Sequence, residues 1–324
     1  MTILICGGAG YIGAHMVRHL LDAGKSVHVF DDFSTGHRQA VGNAPVTEGT
    51  LLSDADLDSV FSDVRIDAVM HFAAKALVAE SVSDPFSYYQ NNVIGTLNLL
   101  KAMRRHSVDR LVFSSTCAIF GVPTTPTIHE DHPVLPVNPY GASKMMCERM
   151  LADAATAYNL RSVALRYFNA AGASPDGCIG ESHDPETHLI PNAILAALGR
   201  GPALKVSGRD YPTADGTCVR DFVHVDDLAQ AHSQALAFIT DREGAHAFNL
   251  GSERGASVLE VIEAVERVTG RLVPRADAPR RTGDPPSLVS DSRRAREILG
   301  WSPKYRELER IVETALRWHL APAY

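Results

Sequence analysis

The first half of the chain alternates short, continuously apolar segments with longer segments whose apolar residues recur at helical spacing. The apolar segments predict buried β-strands, because the strands of a parallel sheet are covered on both faces and lack polar alternation. These segments are residues 3–5, 27–30, 67–72, 110–114 and 162–165. The amphipathic segments between them, including residues 11–23, 86–105 and 141–158, predict helices. The alternation favours a doubly wound α/β fold built on a parallel sheet.

The pattern becomes less regular after Phe168. Three segments rich in Gly, Pro and acidic residues predict loops, and shorter helical patterns lie between them. The loops are residues 172–186, 208–217 and 279–286, and the helices include residues 188–199 and 257–269. We therefore expect a smaller mixed α/β lobe over the carboxyl edge of the sheet, where ligands of doubly wound folds bind. The predicted division assigns residues 1–168 and 217–249 to the large domain, and residues 169–216 and 250–324 to the lobe.

Three glycines, Gly7, Gly10 and Gly13, follow the first predicted strand and open the first predicted helix. Glycine permits a tight turn, a close approach of the backbone to a pyrophosphate, and close packing of helix on strand. The amide groups and the positive end of the helix dipole would then face the phosphates. Asp31 follows the second strand, and its carboxylate suits the ribose hydroxyls of an adenosine but repels a 2′-phosphate. The segment therefore predicts a Rossmann-type dinucleotide site that favours NAD over NADP.

The composition narrows the class of protein further. The chain has 324 residues, 45% of them hydrophobic, which is enough for a large core. Its formal net charge of −7 argues against general binding to nucleic acid or to a membrane surface. The five cysteines form no Cys-x-x-Cys pair, and no apolar run approaches the roughly 18 residues of a membrane-spanning helix. We therefore expect a cytoplasmic protein without a metal cluster.

Tyr140 and Lys144 lie four residues apart, on one face of a predicted helix that begins after Asn138 and Pro139. A lysine ammonium beside a phenol favours the phenolate, so we expect a lowered pKa for Tyr140. Such a tyrosine can act as a general base toward an alcohol. Thr116, at the end of a predicted strand, adds a hydroxyl group between this motif and the glycine turn.

These motifs resemble the extended short-chain dehydrogenase/reductase family, and within it the UDP-glucose/UDP-galactose 4-epimerases. The resemblance runs nearly the length of the chain, and the segment 210–228 is its most specific part. It rests on GGAGYIGAH, HFAA, YYQNNV, FSST, YGASK, RYFNAAGA, GESHDPETHLIP, DYPTADGTCVRDFVHVDDLA, FNLGS and PRRTGDPP. It implies an NAD-dependent isomerase of galactose metabolism that acts on UDP-sugars, with the helices at 86–105 and 141–158 pairing across a homodimer.

The resemblance also implies roles for individual residues. The cofactor would be bound by Gly7, Gly10, Tyr11, Ile12, Gly13, Asp31, Asp32, Phe72, Ala73, Asn91, Ser114, Tyr140, Lys144 and Phe168. UDP-glucose or UDP-galactose would be bound by Thr116, Asn169, His188, Leu189, Arg220, Arg281 and Asp284. The two arginines suit a diphosphate because a guanidinium fork matches phosphate oxygens. No residue is expected to bind a metal.

In the mechanism that the resemblance implies, Tyr140 removes the proton of the sugar 4-OH while hydride passes from C4 to NAD. Lys144 assists Tyr140 and contacts the nicotinamide ribose, and the Thr116 hydroxyl hydrogen-bonds the 4-OH. The 4-keto sugar, tethered through its UDP, then turns over, and hydride returns to its other face. NAD would stay bound through turnover, because there is no net redox change.

Four positions depart from the family pattern. Thr50 replaces an Asp that commonly contacts adenine, Lys75 lies one place before the family lysine, and Phe120 replaces a frequent Tyr. Leu288 stands where relatives carry either Tyr or a smaller side chain, the smaller one being associated with 2-acetamido sugars. We expect UDP-glucose and UDP-galactose as the main substrates, with N-acetylated sugars left open.

Other functions stay open on the sequence. A 4-epimerase of UDP-GlcNAc and UDP-GalNAc, of a UDP-pentose or of a UDP-uronate would use the same catalytic residues. A 4,6-dehydratase is disfavoured, because Cys117 and Ala118 stand where it needs an acid pair. A catalytically inactive NAD-binding regulator is disfavoured by the intact Thr116, Tyr140 and Lys144, and an alcohol dehydrogenase would form net NADH.

Overall fold

The computed structural model describes residues 1–281 and 284–324; Thr282 and Gly283, part of the segment PRRTGDPP, lie outside the described residues. Its strands are β1 Thr2–Cys6, β2 Ser26–Asp31, β3 Val46–Glu48, β4 Ala68–His71, β5 Arg110–Thr116, β6 Arg161–Tyr167, β7 Asn169–Ala171, β8 Leu204–Ser207, β9 Val219–His224, β10 Ala245–Leu250, β11 Gly255–Ser257, β12 Arg275–Ala278 and β13 Ser287–Leu288. Its α-helices are α1 Tyr11–Asp22, α2 Asp54–Asp63, α3 Val78–Ser83, α4 Pro85–Tyr88, α5 Gly95–Arg105, α6 Pro139–Tyr158, α7 Leu189–Ala197, α8 Val225–Phe238, α9 Val258–Thr269 and α10 Leu308–Leu320.

A seven-stranded sheet forms the larger part of the molecule, in the order β3-β2-β1-β4-β5-β6-β10. Every neighbouring pair in it is parallel. Side chains of β1 alternate between two cores: Ile3 and Ile5 pack with helices α1 and α8, whereas Leu4 and Cys6 pack with α2, α5 and α6. Helices therefore cover both faces, which explains the continuously apolar strands. The predicted doubly wound Rossmann fold is confirmed.

The parallel register places all the strand ends on one edge of the sheet. Cys6 is aligned with Phe30 on β2 and with His71 on β4, and Thr116 is aligned with Tyr167. The segments that follow these strands therefore meet along the carboxyl edge. Most of the sequence-predicted cofactor residues lie on or directly after these strand ends. The exceptions are Asn91 and the residues of α1 and α6.

The amphipathic segment predicted as one helix over residues 86–105 consists of three helical parts. Helix α4 is followed by a π-helical stretch over Tyr89–Ile94 and then by α5. The other long predicted helix, at 141–158, is α6, which begins two residues earlier. Asn138 caps α6 by accepting a hydrogen bond from the Gly141 amide at 2.8 Å, and Pro139 occupies its first turn.

A smaller lobe is built from short strands and helices α7, α9 and α10. Strand β9 lies between β11 and β13 and also pairs with β7, while β8 pairs with β12. Helices α7, α9 and α10 share a second apolar core with strands β7, β8, β9 and β11. Helix α8 and strand β10 pack with the large sheet, whereas β9 pairs only with strands of the lobe in the described ranges. The predicted domain boundaries otherwise stay a prediction.

No α-helix within residues 1–281 and 284–324 has the length and apolar character needed to cross a membrane.

Candidate active site

The glycine turn is shaped by close backbone contacts. Gly7 has a φ of 80°, and a Cβ placed on it would lie 2.4 Å from the Ala73 nitrogen. A Cβ on Gly13 would lie 2.0 Å from the Gly7 carbonyl oxygen, so Gly13 lets α1 pack against the turn. A Cβ on Gly10 would meet only the Gly7 oxygen, at 3.6 Å. Gly10 therefore has room on its side-chain side, next to the first amides of α1.

This cradle fits the pyrophosphate of NAD. The turn and the start of α1 offer backbone amides to an anion, and the open side of Gly10 leaves space for it. Asp31 is buried behind the turn, where its carboxylate accepts hydrogen bonds from the amides of Ala9, at 2.9 Å, and Phe33, at 2.8 Å. Burial raises the pKa of Asp31. Asp32 is exposed and accepts from the Ser34 amide at 3.0 Å.

Tyr11 and Ile12 begin α1 directly after the turn. The Tyr11 hydroxyl donates to the Gly172 carbonyl oxygen at 2.6 Å, and its ring lies edge-on to that of His183, 6.5 Å away. Tyr11 thus links the glycine turn to the segment that follows β7. Burial, with the carboxylates of Glu181 and Asp226 nearby, raises the pKa of its phenol.

The residues after β4 complete the cofactor side. The amides of Phe72 and Ala73 both donate to the Cys6 carbonyl oxygen, at 2.8 and 3.0 Å, so this segment is held against the glycine turn. Asn91 donates through its side chain to the Oδ1 atom of Asn92 at 3.0 Å.

Sequence analysis missed Asn92, which is buried between the Lys75 backbone and helix α6. Its Oδ1 accepts from the Lys75 amide at 2.9 Å, and its Nδ2 donates to the Ser143 hydroxyl at 3.0 Å. Asn92 therefore ties the segment after β4 to the helix that carries Tyr140. The sequence could not single out Asn92, because an asparagine within a helical segment is common and its two partners are distant in the chain.

Thr116, Tyr140 and Lys144 converge at the end of β5. Lys144 is buried, and its Nζ donates to the Ser114 carbonyl oxygen at 2.8 Å. The hydroxyl of Ser114 contacts that of Tyr167. Gly141 lets α6 approach this strand end, since a Cβ there would lie 2.4 Å from the Ala118 carbonyl oxygen. The predicted catalytic residues are thus brought together.

The expected pKa of Tyr140 was wrong. Burial raises the pKa of its phenol to about 12, and a hydrogen bond with the Thr116 hydroxyl offsets this only in part. Burial also lowers the pKa of the Lys144 ammonium to about 8, and that ammonium is directed to the Ser114 carbonyl. Desolvation therefore dominates the pKa of both groups, because removal from water disfavours their charged forms.

The predicted substrate residues lie on the lobe side of the same edge. Arg220, on β9, forms an ion pair with Asp284 and donates to the Val219 carbonyl oxygen at 2.7 Å. Arg281 is exposed. The remaining members of the set lie at element starts: Asn169 begins β7, His188 is the N-cap residue of α7, and Leu189 begins that helix. Phe168 and Leu288 share a small apolar cluster with Cys117, Ile119, Phe120 and Ile128.

His188 also belongs to a cluster that sequence analysis missed. Its Nδ1 atom lies 2.6 Å from Oε1 of Glu181, and both Glu181 and Glu186 lie close to His183 as well. Burial works against the charged imidazolium of His188, but the two carboxylates outweigh it and raise the pKa of His188 to about 10. The same balance raises the pKa of His183 to about 9. The spacing Glu-x-His-x-x-Glu-x-His was the available signal.

Asp221, which directly follows Arg220, was also missed by sequence analysis. It is fully buried and accepts hydrogen bonds from the amide and hydroxyl groups of Ser252 and Ser290, at 2.6–3.0 Å. Burial raises its pKa. Asp221 therefore fixes β9 against the segments after β10 and β13, and so positions Arg220 indirectly.

Comparisons with known proteins show the family of the chain. The sequence profile described as "NAD dependent epimerase/dehydratase family" matches residues 3–251. A protein named UDP-glucose 4-epimerase from Azospirillum brasilense is 51% identical over 317 residues, covering 98% of this chain and 91% of its own length.

Solved structures of related proteins superimpose closely on this chain. The UDP-glucose 4-epimerase of Brucella ovis in complex with NAD superimposes with a TM-score of 0.94 at 49% identity, covering 97% of both chains. That of Bifidobacterium longum in complex with NAD+ and UDP has a TM-score of 0.94 at 36% identity, covering 99% of this chain and 98% of its own. The chain therefore belongs to the NAD dependent epimerase/dehydratase family.

Proposed function

We propose that this protein is an NAD-dependent isomerase that interconverts UDP-galactose and UDP-glucose at C4 of the sugar. The observation that carries the proposal is the convergence of Thr116, Tyr140 and Lys144 beside a glycine turn that fits a dinucleotide. Full-length relatives named UDP-glucose 4-epimerase, and neighbours solved with NAD or with NAD+ and UDP, support it.

NAD would be held along the carboxyl edge of the large sheet. The turn amides and α1 would bind its pyrophosphate, and Asp31 its adenosine ribose. Farther along the edge, residues 72–73, Asn91, Ser114 and Phe168 would line the path to the catalytic residues, and Lys144 would bind the nicotinamide ribose. When bound, NAD supplies reversible two-electron oxidation of the sugar carbon.

The protein's own residues handle the proton. The Oη atom of Tyr140 would take the proton of the sugar 4-OH and later return it, while the Thr116 hydroxyl holds that oxygen in place. A phenol whose pKa is raised to about 12 needs nearby positive charge to give up its proton. Lys144, with a pKa lowered to about 8, is still mostly protonated at neutral pH and provides part of that charge.

The UDP group would bind on the lobe side. The guanidinium of Arg220 would bind the diphosphate, because its fork matches phosphate oxygens, and Asp284, which pairs with Arg220, would add its carboxylate to the same binding set. Arg281, Asn169, His188 and Leu189 would complete the binding set. This anchor leaves the sugar ring free to turn over within the catalytic pocket.

One experiment tests the reaction and the resident cofactor together. Purified protein is incubated with UDP-galactose, without added NAD, and the product is identified by chromatography. Formation of UDP-glucose without net NADH supports the proposal. No turnover would favour an inactive NAD-binding regulator, and net NADH a dehydrogenase.

Sugar preference depends on the pocket around Leu288. Leu288 packs against the cluster that contains Phe120 and Phe168. Its side chain is smaller than that of Tyr, yet bulkier than that of Ser or Cys. We expect UDP-glucose to be turned over faster than UDP-GlcNAc, UDP-arabinose or UDP-glucuronate. Faster turnover of any of these three would reassign the enzyme to that sugar.

We also propose a homodimer formed through α4, the π-helical stretch and α6. Phe86 is 82% exposed, and Ile94 and Met146 add exposed apolar surface around the same groove. Sedimentation analysis should find a dimer for the native chain and a monomer for Phe86→Asp, with Leu272→Asp as an exposed apolar control. A monomeric native protein would contradict this.

The expected place of action is the cytoplasm, in galactose metabolism. All five cysteines are free, as is usual in a reducing compartment. Fractionation of cells, followed by detection of the protein, tests the location.

A further inference from the structure

The loop before α7 carries four metal-ligating side chains within eight residues: Glu181, His183, Glu186 and His188. One donor atom of each lies within 4.8 Å of the corresponding atoms of the other three. Glu181 is 4% exposed, so its carboxylate is removed from water. Among the described residues, its carboxylate has as partners only the imidazoles of this cluster.

The imidazole nitrogens face the carboxylates without forming well-aligned hydrogen bonds. The Nδ1 atoms of His183 and His188 are both buried and have no hydrogen-bond partner within residues 1–281 and 284–324. Nevertheless, they lie 3.4 and 2.6 Å from Oε1 of Glu181. They lie 3.5 and 3.3 Å from the two oxygens of Glu186. Four donor atoms are therefore directed toward one small volume.

Part of the cluster already has the spacing of a tetrahedral site. With metal–ligand bonds of about 2.0–2.2 Å, neighbouring ligand atoms lie about 3.3–3.6 Å apart. The Nδ1 atom of His183 lies 3.4 Å from Oε1 of Glu181 and 3.5 Å from Oε2 of Glu186, which are distances of this size. The Nδ1 atom of His188 lies 2.6 Å from Oε1 of Glu181 and nearer to the other oxygen of Glu186, so ligation would need a shift of about 1 Å at His188.

We propose that Glu181, His183, Glu186 and His188 bind one divalent transition-metal ion, with zinc as the ion that best suits the set. Two imidazoles and two carboxylates suit zinc, whereas calcium and magnesium prefer oxygen ligands alone. Once the metal has displaced the imidazole protons, two carboxylates and two neutral imidazoles also balance the charge of a divalent cation. With all four coordination positions filled by protein, the ion is structural, and His188, ligating through Nδ1, keeps its Nε2 atom for the proposed UDP contact.

The surroundings hold the ligands in place. The Oε1 atom of Glu186 accepts hydrogen bonds from the amides of Thr187 and His188, at 2.7 and 2.8 Å, which orients the carboxylate. The Glu181 carbonyl oxygen accepts from the indole of Trp318 at 2.8 Å. Second-sphere contacts of this kind are what a metal site requires of its ligands.

The position of the loop gives the ion a structural task. Tyr11, directly after Gly10, packs its ring edge-on to His183, and His37 contacts the Ser182 carbonyl oxygen at 3.3 Å. The His37 amide in turn donates to the Ala9 carbonyl oxygen of the glycine turn at 3.0 Å. A metal ion would therefore lock the loop of the lobe against the dinucleotide turn.

Metal binding to the intact, tag-free protein tests the proposal. The protein is treated with a chelator, dialysed and titrated with Zn²⁺, and Co²⁺ is added separately to record the visible absorption of a tetrahedral complex. We expect one equivalent of Zn²⁺ per chain, the Co²⁺ spectrum, and a higher melting temperature with Zn²⁺. The Glu186→Gln and His183→Ala variants should each bind Zn²⁺ more than about tenfold more weakly.

Glu186→Gln keeps an oxygen for the Thr187 and His188 amides, so a loss of binding there reports on ligation rather than on loop structure. His129→Ala, at an exposed histidine outside the cluster, is the matched control and should bind as the native chain does. Circular dichroism confirms that each variant is folded. Absence of stoichiometric binding, or equal binding by native protein and both folded variants, would overturn the proposal. Neither readout depends on epimerase turnover, so the metal-site proposal is tested independently of the proposed function.

Discussion

The glycine turn and the Arg220 region are built for their ligands in different ways. The turn is held by backbone contacts, with the Gly7 amide donating to the Phe30 carbonyl oxygen at 2.9 Å and the Ala73 amide to that of Cys6 at 3.0 Å. Arg220, in contrast, forms a side-chain ion pair with Asp284. One region presents backbone donors that the fold has already placed, and the other presents a side chain that is held by another side chain.

This difference matches two kinds of ligand. A preorganised backbone site loses little freedom on binding, which favours long retention of a cofactor. A site built from side chains has more freedom to lose on binding, which favours exchange of substrate and product. The comparison predicts that changes at the turn affect cofactor retention, and changes at Arg220 affect the Michaelis constant.

The largest effect on activity is expected from a substitution of Tyr140, which lies between the two regions. Tyr140→Phe removes the atom that carries the proton, and kcat should fall by about 10²- to 10⁴-fold. Bound NAD, measured by its absorbance after denaturation, should remain at one per chain. Tyr158→Phe, at an exposed position, is the control. Near-normal turnover of Tyr140→Phe would remove Tyr140 from the mechanism.

Substrate binding is the next test. Arg220→Ala removes the guanidinium proposed to bind the diphosphate, and the KM for UDP-galactose should rise by about 10- to 100-fold, as expected for loss of a charged hydrogen bond. NAD content should not change. Arg209→Ala, which removes a surface ion pair with Asp277, should leave KM unaltered. If Arg220→Ala released NAD with KM unchanged, the proposed division of labour would be wrong.

Two glycines of the turn separate folding from cofactor binding. In Gly13→Ala the new Cβ meets the Gly7 carbonyl oxygen at 2.0 Å, so the free energy of unfolding should fall by about 1–3 kcal/mol. In Gly10→Ala the nearest protein atom is at 3.6 Å and only the N-cap of α1 is weakened, so stability should fall by less than about 1 kcal/mol while NAD affinity falls. Denaturant unfolding and NAD content measure the two effects. Equal stability losses would show that Gly10 is a packing residue.

Sequence patterns were sufficient for what depends on local order. The continuous apolar strands predicted the parallel sheet, and the glycine spacing predicted the turn, because a chain segment of a few residues carries each signal. The convergence of Thr116 and Tyr140 followed once the parallel sheet placed both at one edge.

Features that depend on tertiary packing were not accessible in this way. The raised pKa of Tyr140 comes from burial, which its neighbours in sequence do not reveal. The pairing of Arg220 with Asp284 joins residues 64 positions apart. Strand β9 lies next to α8 in the chain yet joins the lobe, because its pairing partners are distant strands.

At neutral pH the smallest effect is that of His232, in the large domain, which appears only as the solution is acidified. His232 is fully buried, its Nδ1 bonded to the Leu228 carbonyl oxygen at 2.8 Å, and burial lowers its pKa to about 4. The unfolded chain takes up this proton near pH 6.5, whereas the folded protein does not until about pH 4. The contribution of His232 is therefore fully present above pH 6.5 and is lost as the pH falls toward 4, at up to about 1.4 kcal/mol per pH unit.

Urea unfolding between pH 7 and pH 4.5 measures this loss. In His232→Gln the ring that resists protonation is absent, so the decline in unfolding free energy with falling pH should be shallower than in the native chain, whatever the stability at pH 7. His129→Gln, at an exposed position, should retain the native slope. Because His232 packs 4.7 Å from the ring of Phe72, beside the cofactor segment, the loss should also appear as release of NAD over the same pH range. Equal slopes for His232→Gln and the native protein would place the acid sensitivity elsewhere in the fold.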